Sequence, residues 1–249
     1  MAGTSGDDLP EVRPEAVPLG VRLQILSTEH WSLLATRSLA WNETFSRAGM
    51  FLSTLSGAMV ALALVAQVAA FGSGFLLFAL TILPVVLFIG VATFVRLGAS
   101  NYTDAMCVVG MNRIRAAYLE VAPELERYFV TSAHDDGRGV AITMGVPPGM
   151  RSGIHVLAAT PAVISTLNAA IAGVIAALVG LALGAPSAPS LVVGVIGFGV
   201  ALLIQNRYAQ RWIARARSSV QPLFPTPGDG QRPGPEPEPG PEPKLMAQD

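Results

Sequence analysis

Two long windows contain no Asp, Glu, Lys or Arg: residues 48–95 and residues 152–206. Each is long enough to cross a bilayer twice, because one helical crossing needs about 20 apolar residues. A soluble helix of this length shows a polar face, and neither window has one. Only 13% of the 249 residues are charged, about half the share of an ordinary soluble domain. The fold class expected is all-α, a polytopic membrane protein with four transmembrane helices arranged as two hairpins plus cytoplasmic amphipathic helices.

Turn signals divide the windows. The first span is expected near Met50–Phe71, followed by "GSG" at 72–74, and the second near Phe75–Val95. The third is expected near Ala162–Leu183, followed by "GAPSAP" at 184–189, and the fourth near Ser190–Gln205. At about 1.5 Å per residue the fourth covers only about 24 Å. It begins earlier than this or lies where the bilayer thins. Pro84 is expected to kink the second span.

Basic residues set the orientation. Four Arg precede the first span, six lie in 96–151, six Lys/Arg follow the fourth, and both short turns carry none. By the positive-inside rule both termini and the middle segment are cytoplasmic. The first 20 residues show no secretory signal peptide. The domain reading is a disordered N-terminal tail (1–19), an amphipathic helix (20–47), a hairpin (48–96) and a helical segment with loop (97–151). A second hairpin (152–206), a basic juxtamembrane helix (207–220) and a Pro-rich disordered tail (221–249) complete it. The two hairpins share a short pattern, "FLSTLSGA" (51–58) and "VISTLNAA" (163–170), which allows a parallel duplication.

Gly49, Ser53 and Gly57 recur at i, i+4, i+8, and Ala169, Gly173 and Ala177 do the same in the third span. Lipid tails are as apolar as Leu, so membrane helices associate through small residues that permit close backbone approach. These six residues are the expected helix-packing positions. A competing reading places Ser53, Ser56, Gln67, Thr81 and Asn168 along a polar path. It is weakened because no span carries an ionisable group of the kind proton relays use. Ser56 and Asn168 remain its strongest members, and Asn168 is expected to bond a neighbouring helix.

Before the first span, Ser27 is an N-cap candidate. Trp31, Leu34, Ser38, Trp41 and Phe45 form one mostly apolar face, which lies at the membrane interface or packs on the middle segment. Trp31 and Trp41 are membrane-interface candidates. So are Arg207, Arg211, Trp212 and Arg215, which follow the fourth span and suit anionic lipid headgroups. A helix is expected from about Tyr102 to Val121, capped by Asn101, with Pro123 opening another. In "HDDGRG" (134–139), His134, Asp135 and Asp136 could bind a metal or exchange protons, but the glycines favour a solvated loop. His155 lies apart from it. The nine prolines after Gln221 read as an extended tail.

Cys107 is the single cysteine, so no internal disulfide forms. No cofactor is expected, and neither a catalytic nor a metal set stands out. The partners expected are the lipid bilayer, anionic lipid headgroups, a homo-oligomer or a cytoplasmic protein, and no nucleic acid. The segment "EHWSLLATRSLAWNETFSRAGMFLSTLSG" resembles the pre-span region of uncharacterised integral membrane proteins of high-GC bacteria, which implies an inner-membrane location. The order of helix, transmembrane hairpin and cytoplasmic helix is also similar to SLATT-type membrane effectors, a likeness that implies pore formation. The second hairpin departs from their two-span form. The chain is expected to be a non-enzymatic helix-association protein or scaffold, with a pore or small-solute transporter as the alternative.

Overall fold

The computed structural model describes residues 17–146, 160–218 and 220–227. Among the described residues there are five α-helices: α1 (Leu19–Ala69), α2 (Ser73–Val121), α3 (Gly137–Thr143), α4 (Thr160–Ala182) and α5 (Ser187–Ser218). A 3-10 turn at Pro123–Tyr128 follows α2, and no strand occurs among the described residues. Four helices, all but α3, are long and apolar enough to cross a membrane.

The apolar spans are parts of longer rods. The 51 residues of α1 reach roughly 75 Å at about 1.5 Å per residue, more than twice a bilayer core of about 30 Å. Residues 20–47, expected as a cytoplasmic amphipathic helix, are helical and run without a break into the first apolar span. Ser27 lies inside α1, whose N-cap is Pro18 without a side-chain bond. The neighbouring Thr28 hydroxyl turns back onto the Gln24 carbonyl at 2.9 Å. Asn101 likewise caps nothing, because α2 runs unbroken through Pro84 and onward to Val121. Residues 187–206 of α5 give roughly 30 Å of uncharged helix, which removes the shortfall expected for the fourth span.

α1 and α2 run antiparallel along nearly their whole length, as contacts spaced down both helices show. Arg22 meets Glu120 at 3.3 Å, Arg37 meets Asp104 at 2.6 Å, and Arg96 meets Glu43 at 2.8 Å. Further along, the Phe51 ring lies against Gly90. The covered positions of α1 are Leu23, Leu26, His30, Leu33, Arg37, Ala40 and Thr44, alternating three and four residues apart. That is the spacing of a left-handed two-helix seam. Leu33 is seated on Gly110, where a Cβ would come within 2.7 Å of its methyl.

The seam turns fully apolar beyond Ala48. Phe51, Ala58, Ala79, Leu83, Val86 and Leu97 are buried there together with Ile164 and Ile171 of α4. α2 is the centre of the assembly, touching α1 on one side and α4 on another, while α5 packs chiefly on α4. Between α1 and α2 the chain reverses at Ala70 and Phe71, both with left-handed φ (44° and 57°). The turn after α4 uses Gly184 at φ 84°, a conformation glycine adopts without a Cβ penalty.

Candidate functional site

Three places concentrate the chemistry of this chain. The first is the α4/α5 seam. A Cβ on Gly173 would lie 2.8 Å from the Gly194 carbonyl oxygen, and one on Gly194 would lie 2.9 Å from the Gly173 carbonyl and 3.0 Å from the Ala177 methyl. Ala169 is fully buried. Small residues here allow the two backbones to touch, the contact that favours association in an apolar medium. The other small-residue row behaves differently. Gly49, Ser53 and Gly57 are exposed, with nothing within 4 Å of a Cβ at either glycine. Within the monomer α1 packs instead through Thr44, Ala48, Phe51 and Ala58.

Beside that seam lies a buried amide pair. Asn168 is fully buried and its Nδ2 donates to Gln205 Oε1 at 3.1 Å. Gln205 Nε2 in turn donates to the backbone carbonyls of Ser165 at 3.2 Å and Ala201 at 3.3 Å. Asn168 Oδ1 has no conventional partner and occupies the space a side chain at residue 90 would fill, next to the Phe51 ring. Gly90 is thus the point where α1, α2 and α4 converge. An amide oxygen against a glycine Cα fits a weak C–H···O contact.

The candidate polar path is not assembled. Ser53, Ser56, Gln67 and Thr81 are exposed on the helix surfaces, and Thr81 bonds the Leu77 carbonyl of its own helix at 2.8 Å. Equivalent positions of the shared pattern take different roles: Ser56 is exposed where Asn168 is buried, and Ala58 is buried where Ala170 is exposed.

The second place is a ring of charge and aromatic groups where the uncharged stretches end. Glu43 accepts from Arg47 and Arg96, both at 2.8 Å. The bonds from Arg96 and then Arg47 hold the Glu43 carboxyl below its usual range. Trp41 is half exposed, donates its indole N–H to Asp104 at 3.2 Å, and lies 5.7 Å from the Phe45 ring. Trp31 is exposed further out. The apolar face of Trp31, Leu34, Trp41 and Phe45 therefore points outward beside the α1/α2 seam rather than into it.

On α5, Arg207, Arg211 and Arg215 follow the last uncharged turn without a break in the helix. Arg207 and Arg211 are exposed. The Tyr208 ring lies 6.2 Å from Phe94, and the half-buried Trp212 lies 5.7 Å from Tyr102, both on α2. The segment expected as a separate juxtamembrane helix is the continuation of α5 and packs on α2.

The third place is the polar end of the molecule, and it overturns the expectation of a solvated "HDDGRG" loop. Asn112, fully buried on α2, donates Nδ2 to the His134 carbonyl at 2.7 Å. Its Oδ1 accepts from Arg115 at 2.7 Å and from the Thr143 hydroxyl at 2.9 Å. Gly139 is required beside it, since a Cβ would strike the His134 carbonyl. Asp136 caps α3 by accepting from the Gly139 N–H at 2.9 Å.

The Asp135 side chain is wholly buried and pairs with Arg113 Nε at 2.7 Å. It also accepts from the backbone N–H groups of Leu223 at 2.9 Å and Phe224 at 2.8 Å. Residues 221–227, expected as the start of a free tail, are thus bound at the polar end beside Arg113 of α2. Residues 228–249 and His155 lie outside the described residues.

Burial pushes the Asp135 carboxyl upward, but the bonds from Leu223, Phe224 and Arg113 outweigh it and leave it below the usual carboxylate range. Asp136 follows the same balance, its burial outweighed by bonds from Thr226 and Gly139. Both carboxylates are engaged in holding chain segments. Among the described residues no group of three or more His, Cys, Asp or Glu is placed to hold a metal ion. No protein-family model matches this chain, and neither a curated protein nor a solved structure is similar to it.

Proposed function

We propose that this is a non-enzymatic multi-pass membrane protein that acts by helix association, presenting its α1/α2 stem as a scaffold or effector surface. In this reading the uncharged lengths of the four long helices form two transmembrane hairpins. The stem, α3 and the C-terminal segment lie in the cytoplasm, and the membrane is the inner membrane of a bacterium. The level of Glu43, Arg47, Arg96 and Arg207 marks the cytoplasmic face, where exposed Arg207 and Arg211 meet anionic headgroups. Trp41 and Phe45 sit within two helical turns of that level, the depth that aromatic residues favour.

The observation that carries the reading is the buried amide pair. Asn168 donates to Gln205, and Gln205 donates to the backbone carbonyls of Ser165 and Ala201, while Ser53 and Ser56 lie elsewhere on the surface. The polar groups of the uncharged helices thus support association rather than conduction.

The experiment is reconstitution into liposomes with measurement of ion and small-solute flux, together with the mass of the protein in nanodiscs. No flux at any oligomeric state is expected, and flux abolished by Asn168→Leu would overturn the reading. One observation favours an oligomeric pore as the second reading. The face of α1 bearing Gly49, Ser53, Ser56 and Gly57 is left uncovered in the monomer and could receive a second copy, as the likeness to SLATT-type effectors implies. The orientation is checked by a reporter active only outside the cytoplasm, fused at residue 73 or 186. A silent fusion at both positions would refute it.

A further inference from the structure

We infer that Arg113, Asp135 and Asp136 form a recognition site for a bent, proline-punctuated peptide, occupied in cis by residues 221–227 of this chain. The inference rests on the polar end alone and stands apart from the membrane role.

The sequence of the bound segment explains its fit. Between Pro222 and Pro227 lie three prolines that have no N–H to offer, at 222, 225 and 227. The remaining backbone donors are those of Leu223, Phe224 and Thr226. Leu223 and Phe224 donate to Asp135, and the Thr226 N–H faces Asp136. Each main-chain donor between Pro222 and Pro227 therefore faces one of two adjacent carboxylates.

The remaining contacts fix direction and register. Arg113 Nη2 donates to the Gln221 carbonyl at 2.9 Å. The Asp135 N–H donates to the Phe224 carbonyl at 3.1 Å, and the Thr226 hydroxyl donates to Asp136 at 2.7 Å. Phe224 and Thr226 are half-buried, whereas Leu223 is exposed. The site thus reads backbone donors spaced by prolines, one aromatic residue and one hydroxyl. Prolines restrict the backbone of such a segment before it binds, so less conformational entropy is lost on docking.

The same chemistry admits a segment of this pattern presented in trans. Because the resident segment follows α5 directly, its local concentration is on the order of millimolar. A peptide in trans therefore competes only at comparable concentration.

The test follows hydrogen exchange of residues 221–227 in the full chain in lipid nanodiscs, alone and with a synthetic peptide copying residues 220–227 at several millimolar. The resident amides of Leu223, Phe224 and Thr226 are expected to exchange at least about tenfold more slowly than in the free peptide. Asp135→Asn removes that protection, and the added peptide lowers it, whereas a peptide of the same composition with its prolines moved does not. Thr226→Val, a change on the segment itself that leaves the stem intact, lowers protection even if Asp135→Asn fails to fold. Wild-type exchange at the free-peptide rate would overturn the site, and so would protection that the added peptide leaves unchanged.

Discussion

Gly90 offers the sharpest test of how the two helix pairs are joined. A Cβ at this position would overlap Asn168 Oδ1 and come within 2.6 Å of the Phe51 ring, so Gly90→Ala must displace both. Overpacking of this kind costs about 1–3 kcal/mol. Moving Asn168 also weakens its bond to Gln205, worth about 0.6 kcal/mol and at most about 1.7 for an interhelical bond in a membrane. The expected loss is about 2–4 kcal/mol, read as unfolding by denaturant in nanodiscs. Gly98→Ala is the internal control, because nothing lies within 4 Å of that Cβ; it should leave stability unchanged or raise it. Adding Asn168→Ala to Gly90→Ala should recover about half the loss, a coupling of at least about 1 kcal/mol. If Gly90→Ala is within about 0.5 kcal/mol of the wild type, or the double variant shows strict additivity, the convergence of three helices on Gly90 is wrong.

The remaining predictions concern the two seams and the polar end. Gly173→Leu should force α4 from α5 and lower stability by about 1–3 kcal/mol. Gly57→Leu should leave the monomer fold unchanged and reduce any self-association measured by mass in nanodiscs. His30 carries a buried Nδ1 without a partner, and burial followed by the Arg115 charge lowers its pKa. The folded state thus favours neutral His30, and the stem should lose stability as pH falls below about 6.5. His30→Leu should abolish that dependence, and an unchanged pH profile would refute it. The depressed Asp135 and Asp136 carboxyls act in a lower window. Docking of residues 221–227 is complete above the ordinary carboxylate pKa of about 4 and is lost as pH falls through the lower folded values, which exchange at pH 3 against pH 6 would show.

What was legible in the sequence follows from how local each signal is. The uncharged stretches and the Ala169/Gly173/Ala177 row needed only hydropathy and a four-residue spacing; Gly173 and Ala177 lie against Gly194 of α5, and Ala169 is buried. The α1/α2 seam was hidden because His30, Arg37 and Thr44 interrupt its heptads, while Trp31, Leu34, Trp41 and Phe45 make a more apolar face beside it. Arg37 is tolerated there because Asp104, far away in sequence, pairs with it across the seam, and Thr44 turns its hydroxyl onto the Ala40 carbonyl of its own helix. Gly90 gave no local sign of its role, since only the fold brings Asn168 to it. The bound 221–227 segment was masked by composition. Proline reads as free chain, yet here it leaves few enough donors for two carboxylates to satisfy. A carboxylate and a backbone N–H almost ninety positions apart leave no periodic trace.

The continuity of α1 has a mechanical consequence. In the proposed setting its uncharged part and its stem are one uninterrupted helix from Leu19 to Ala69. A tilt of about 10° within the bilayer would swing the far end of a stem about 45 Å long by roughly 8 Å. The ion pairs from α1 to α2 would carry α2 along, and with it the head that holds residues 221–227. Local membrane thickness or lateral pressure would then be reported at the opposite end of the molecule as a change of position, with no ligand needed to transmit it.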